Sequence, residues 1–288
     1  MQHFRLDSEV PQTERLVAPN STGRRSRHDP MVIPPAFETA LADAQERVLL
    51  LDYDAIVGPL ARDRMNAVPY QGVPQVLDRI MKICGTRVAL ISGRAAQDIR
   101  RLLGTNLQPE VWGSHGLERL HPDGRKQMLE IQGATLKSLE RVSAELGSLG
   151  LAPLAESKPG AVAVHWKWLP SNKLEEVKAL AYRVMSTATR NSSLKLEVLD
   201  GGLELRLRSC NKGDAVRTIL SETGARVPVA YLGCDVTDED AFRALSGRGL
   251  SVLVSPKCRF SAAQIWLKPP DDLIRFFTDW LVACGGNL

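Results

Sequence analysis

The stretch Arg47-Val-Leu-Leu-Leu-Asp52-Tyr-Asp54-Ala-Ile-Val-Gly-Pro59 decides how the rest of the chain is read. Val48 to Leu51 form an unbroken apolar run, the pattern of a strand covered on both faces, as in parallel sheets. The run stops at two carboxylates, Asp52 and Asp54, and Gly58-Pro59 then forbids regular structure. Loops beyond the carboxyl ends of parallel strands are where open α/β sheets place their sites. Two readings stay open on this stretch alone: carboxylates that do chemistry, or polar residues that punctuate a strand end.

Outward from it, Phe37 to Glu46 suits a short helix, preceded by Pro34-Pro35 and a polar, aperiodic leader over 1–36. On the other side, Val73, Val76, Leu77, Ile80 and Ile83 recur at helical spacing. A second buried strand, Val88 to Ile91, ends in Ser92-Gly93-Arg94; a helix over 95–103 and a short strand, Glu110 to Trp112, follow. This alternation predicts a doubly wound parallel sheet. Past Gly116 the pattern changes. Helices are predicted over 134–149 and 173–187, an alternating strand over 162–167, and a hairpin of 194–199 and 203–207 joined by Asp200-Gly201-Gly202. The parallel pattern then returns with a helix over 212–220, strands at 229–232 and 250–254, and a closing helix over 271–282. The expected organisation is a core of 37–116 and 209–288 with an inserted α+β unit, 117–208.

Hydrophobic residues at 44% and charged residues at 24% of 288 describe a globular chain with room for two cores. The net charge of +4 is modest. Part of it sits in Arg24-Arg25-Ser-Arg27-His28, read as a solvated tail rather than a nucleic-acid or lipid contact. Five scattered cysteines, never spaced as C-x-x-C, argue against a disulfide framework or zinc site and for a reducing cytoplasm. No apolar stretch approaches the ~20 residues that span a membrane, and nothing at the N-terminus has the core of a signal peptide.

The strand-end loops at Asp52/Asp54, Ser92 and Asp235/Asp238, with Lys212, would converge on one sheet edge. A hydroxyl beside free N–H groups suits a phosphate, a lysine adds positive charge, and clustered Asp oxygens suit Mg²⁺. An Asp that attacks phosphorus needs such neighbours. The ordered set Asp52-Tyr-Asp54, Ile91-Ser92-Gly93-Arg94, Gly113-Ser-His115-Gly-Leu-Glu118, Glu156-Ser-Lys158, His165-Trp-Lys167, Glu204-Leu-Arg206, Asn211-Lys212-Gly213 and Thr237-Asp238-Glu-Asp240-Ala-Phe242 resembles the haloacid dehalogenase superfamily. More narrowly, it resembles the trehalose-6-phosphate phosphatases, from about Arg47 onward.

The resemblance implies a Mg²⁺-dependent sugar-phosphate phosphatase. Asp52 would be the nucleophile, Asp54 the acid and base, and Ser92 and Lys212 the phosphoryl clamp. Asp52, Asp54 through its backbone carbonyl, Asp235 and Asp238 would hold the metal. The insertion would be a cap whose Glu118, Glu156, Lys158, His165, Lys167 and Glu204, with Arg94 and His115, contact the sugar phosphate. His115 also reads as a hinge, and His165 as a packed strand residue. The Gly113-Ser-His-Gly and Glu156-x-Lys158 segments favour trehalose 6-phosphate over the sucrose, mannosylglycerate or hexose phosphates of similar proteins. A trehalose-6-phosphate synthase would be a separate protein.

Four positions depart from the family pattern. After D-x-D the family writes Gly-Thr, where this chain has Ala55 and Ile56, the latter expected to add bulk beside the phosphate. Cys234 replaces an aspartate that ligates Mg²⁺ in the family, and a thiol is a poor partner for that ion. Lys167 replaces an arginine and loses its fork. Two expectations follow: a working phosphatase completed by Asp235 and Asp238, or a sugar-phosphate-binding descendant without turnover.

Overall fold

The computed structural model describes residues 32–57, 66–199 and 201–286. Most of the leader, the Gly58-Pro59 breaker and Asp200 of the hairpin turn lie outside the described residues. In chain order the elements are α1 (Pro35–Asp43), β1 (Arg47–Leu51), α2 (Val73–Ile83), β2 (Thr86–Ile91), α3 (Ala96–Leu102), β3 (Glu110–Gly113), β4 (Glu118–Leu120) and β5 (Lys126–Met128). Then come α4 (Gly133–Ser148), β6 (Ala155–Lys158), β7 (Ala161–His165), α5 (Ser171–Ala188), β8 (Leu194–Leu199) and β9 (Gly202–Leu207). The chain closes with α6 (Lys212–Ser221), β10 (Val229–Gly233), α7 (Glu239–Leu245), β11 (Leu250–Val254), β12 (Ile265–Leu267) and α8 (Asp271–Ala283). Among the described residues no helix is long and apolar enough to cross a membrane.

Eight strands form one sheet in the order β12-β11-β10-β1-β2-β3-β4-β5, parallel from β12 to β3. The apolar run of β1 is explained by its two covered faces. Leu49 and Leu51 pack with α1, α2, α3 and α8, and Val48 and Leu50 with α6 and α7. Each such leucine, fully buried, stabilises the fold by about 1.5–3 kcal/mol. The chain leaves β1 towards β2 and β3, then returns on its other side with β10, so Asp52 stands where the strand order reverses.

A second, antiparallel sheet runs β6-β7-β9-β8. The period of two divides its strands cleanly. Val162, Val164, Leu203, Leu205 and Leu207 pack under α4 and α5, which leaves Glu204 and Arg206 on the opposite face.

Three expectations are corrected here. The insertion was expected to begin at 117, but β4 pairs antiparallel onto β3 and β5 onto β4, which extends the large sheet. Val32 and Ile33, expected in the leader, are buried, and Val32 N–H donates to Asp279 at 2.9 Å. The strand expected over 162–167 stops at His165, because the Trp166 N–H turns to the Gly201 carbonyl and Leu169 closes a turn on Trp166.

Candidate active site

Register brings the strand ends together. Leu51 lies beside Leu232 of β10 and Leu90 of β2, so Asp52, Cys234 and Ser92 follow from adjacent strands. Lys212 enters from the first turn of α6, whose start is fixed by a capping box: the Asn211 side chain accepts from Asp214 N–H, and the Asp214 carboxylate accepts from Asn211 N–H. The buried Lys212 ammonium donates to Asp52 Oδ1 and to Asp238 Oδ1, both at 2.8 Å. Burial works against that charge, but the two carboxylates hold the Lys212 pKa well above its usual value. Burial and the nearby Asp238 push Asp52 up to about 7 against the pull of Lys212.

Asp238 is saturated. Its Oδ1 accepts from Lys212 and from the Tyr231 hydroxyl, and its Oδ2 accepts the backbone N–H groups of Cys234 and Asp235 at 2.9 Å each. These four donors use all four acceptor positions of a carboxylate. Gly233 permits the arrangement, since a Cβ there would lie 2.5 Å from Asp238 Cγ. On Asp52, Oδ2 accepts the Cys234 thiol at 3.3 Å. Burial and the surrounding carboxylates push that thiol well up, so it stays protonated. Asp54 Oδ1 takes two bonds from Arg94, at 2.7 and 3.1 Å, and the Arg94 guanidinium lies over the Tyr53 ring.

A cavity of about 210 Å³ opens beside this group, lined by Asp52, Asp54, Gly93, His115, Lys158, His165, Leu199, Glu204, Lys212, Cys234, Asp235 and Thr237. Eight of these twelve were named from sequence as site residues. Glu204 joins the two sheets: Oε2 meets His115 Nε2 at 2.8 Å and Oε1 meets Lys158 Nζ at 2.6 Å. Burial opposes ionisation, but Lys158 and His115 hold the Glu204 carboxyl well below its usual range. Burial lowers His115 despite Glu204, so its neutral form is favoured. Ser114 and His115 both adopt positive φ, 50° and 58°, and the ring packs so close to Gly93 that a Cβ there would meet it at 2.6 Å.

Other expected residues lie outside the cavity lining. Ser92 is fully buried and its Oγ accepts from Arg94 N–H, while the N-cap of α3 is Ala95. Glu118 accepts from Ala96 N–H and Ser114 Oγ, so it anchors α3 to the β3 turn. Glu156 is held by His165 at 2.8 Å, and Lys167 is exposed beyond the end of β7. Arg206 pairs with Glu197, as its strand face allowed. Ile56, expected beside the phosphate, is instead fully buried in the core with Val57 and Val73. Ala55 has no positive φ, so glycine is not needed there. Cys234 is thus the departure from the family pattern that lines the cavity.

The carboxylates do not fit Mg²⁺, the ion the family implies. Mg²⁺ takes oxygen ligands in near-ideal octahedra. Among the described residues the one convergent group is Asp52, Cys234 and Asp238, with ligand atoms within 4.8 Å of one another. Asp238 is saturated, Lys212 holds one oxygen of Asp52, and the third member is a thiol. Asp238 and Asp235, expected as metal ligands, are respectively saturated and outside that group.

Sequence reasoning missed Tyr231 and Leu199, and quoted Gly93 and Thr237 in their motifs without giving them a role. A tyrosine inside a buried strand carries its own signal, since its hydroxyl needs a partner; Leu199 at a hairpin end carries none.

A doubly wound sheet with an Asp-x-Asp at its switch point and a lysine-bridged second carboxylate defines a haloacid dehalogenase-like chain, and solved structures agree. The C-terminal domain of the trehalose-6-phosphate phosphatase of C. albicans superposes with a TM-score of 0.69 at 18% identity, over 88% of this chain and 97% of that one. A chain from Bacteroides thetaiotaomicron, described among phosphatases of the haloalkanoate (HAD) enzyme superfamily, gives 0.55 at 13% identity, over 88% and 98%. The profile described as trehalose-phosphatase matches residues 50–263, and the chain belongs to that family. The trehalose-phosphate phosphatase of Mycobacterium marinum is 30% identical over 241 residues, 79% of this chain. The chain spans about 60% of the length of that relative.

Proposed function

We propose that this chain is a phosphoric monoester hydrolase that converts trehalose 6-phosphate to trehalose and phosphate through an aspartyl-phosphate on Asp52. The observation that carries the reading is Asp52 at the switch point, 2.8 Å from Lys212 and on one cavity with Asp54. Family membership supports the substrate. The Asp52 carboxylate attacks phosphorus as the bond to the sugar oxygen breaks, and the Lys212 charge offsets the negative charge gathered there. Asp54, oriented by Arg94, gives the leaving oxygen a proton and then takes one from the water that cleaves the aspartyl-phosphate. The four-stranded unit serves as the cap. Its Lys158 and His165 face the sugar phosphate, and its closure over the cavity excludes bulk water. Because the donor set does not fit Mg²⁺, no step is assigned to that ion.

The substrate would come from a separate synthase, and the five free cysteines support a reducing compartment such as the cytoplasm. A second reading, sugar-phosphate binding without turnover, is favoured by the thiol on Asp52. The deciding experiment is phosphate release from a panel of sugar phosphates, with Asp52→Asn as control. Release from trehalose 6-phosphate that Asp52→Asn abolishes supports hydrolysis; binding without release supports the second reading. Release that survives Asp52→Asn defeats the nucleophile.

A further inference from the structure

The disagreement between the donor set and Mg²⁺ has a positive side. We propose that the pocket binds a thiophilic divalent cation, of the class of Zn²⁺ and Co²⁺, through Cys234 Sγ and Asp52 Oδ2. The inference shares its pocket with the phosphatase reading but rests on the donor set alone.

Three observations carry it. First, Sγ and Oδ2 are 3.3 Å apart. A tetrahedral cation with metal–sulfur near 2.3 Å and metal–oxygen near 2.0–2.2 Å has an S···O edge of about 3.5 Å. The two atoms already form the bite of a chelate. Second, the other oxygens nearby are held. Lys212 keeps Asp52 Oδ1, and four donors keep Asp238, so a cation meets one sulfur and one carboxylate oxygen from this group. Sulfur ligands select zinc-like ions over magnesium. Third, Asp52 and Cys234 both line the cavity of about 210 Å³, which leaves room for water or a phosphate oxygen to complete the shell.

The exchange balances. The thiol proton that bridges Sγ and Oδ2 leaves to solvent, and the cation takes its place between a thiolate and a carboxylate, whose two negative charges match its two positive ones. Lys212 stays on Oδ1 and keeps Asp238 neutralised from its other side.

The test is a titration of the full-length, metal-stripped chain with Co²⁺ and with Cd²⁺, followed by thiolate-to-metal charge-transfer absorption. The wild type is expected to develop the band with one cation per chain and to keep it in a large excess of Mg²⁺. Cys234→Ser, nearly isosteric, is expected to lose it while melting at the wild-type temperature. Calorimetry provides a second variant: Cys234→Asp should gain Mg²⁺ binding that the wild type lacks. Absence of a band, a band unchanged in Cys234→Ser, or Mg²⁺ displacing Co²⁺ from the wild type at comparable concentration overturns the proposal. The readout is a metal–sulfur bond rather than phosphate release, so a chain with no phosphatase activity still answers the question, and an active phosphatase can still fail it.

Discussion

Two buried charge clusters face the same cavity with opposite polarity. At the switch point a single cation, Lys212, sits between two carboxylates, Asp52 and Asp238. On the face of the four-stranded sheet a fully buried carboxylate, Glu204, sits among Lys158, His115 and, at 3.9 Å, Arg206, whose guanidinium also pairs with Glu197. The first cluster leaves Asp52 on the lining of the cavity. The second spends its acid on organising cations, which suits the recognition of an anion. The two charge clusters thereby sit on two sheets, and the His115–Glu204 bond links them. Glu204, expected from sequence to contact the sugar, lines the cavity with one carboxylate oxygen on His115 and the other in an ion pair with Lys158.

Four substitutions break this comparison at different strengths. The largest effect is on turnover: Asp52→Asn should lower phosphate release by about 10⁴-fold, the scale of losing a catalytic nucleophile, while the far-ultraviolet circular dichroism is unchanged. Next, Lys212→Met leaves two buried carboxylates without their shared cation and should cost about 3–5 kcal/mol, read as a shift of the urea midpoint. In the second cluster, His115→Phe removes a bond to Glu204 but leaves Lys158 in place. A loss of about 1.5–3 kcal/mol is expected for a bond to a charged group, and a loss as large as that of Lys212→Met would show that the two clusters are not organised differently.

The smallest effect lies away from the cavity and calibrates the rest. Glu222 is bonded to Arg119 and Arg87 at a surface where its side chain is 35% exposed. The Arg119 bonds come first among the causes, with burial opposing and Arg87 adding, and lower its pKa from 4.5 to about 2. A depressed carboxyl contributes stability that is present above pH 4.5 and is lost as pH falls towards about 2. Glu222→Gln should change stability at neutral pH by about 1 kcal/mol or less and flatten the acid side of the pH–stability curve in that window. An acid limb unchanged by the substitution would assign it to other carboxylates.

Much of the fold was legible because buried parallel strands write themselves as unbroken apolar runs. Leu49 and Leu50 face different helix layers, and both must be apolar. The short β4, β5 and β6 were missed because their few residues are mostly polar and form no apolar run, with β5 exposed along its length, and β12 because it is apolar over only three residues. The site was legible where a residue follows directly from a strand end, as Asp52 does, or opens a helix, as Lys212 does. It was not legible for Glu118, which looks like a site acid but ties Ser114 to α3, or for Ile56, whose side chain turns into the core rather than towards the cavity.

The sequence by itself determined which residues stand at strand ends and that Cys234 occupies a place where the family has an acid. Side-chain periodicity is a local property, so both follow from neighbours in the chain. Only the tertiary structure decided that Lys212 would meet Asp52 from 160 residues away, that Asp238 would have every acceptor position filled, and that the Cys234 thiol would rest on Asp52. Those outcomes depend on which strands lie side by side and on how many donors converge on one carboxylate, quantities that the whole packed sheet sets together.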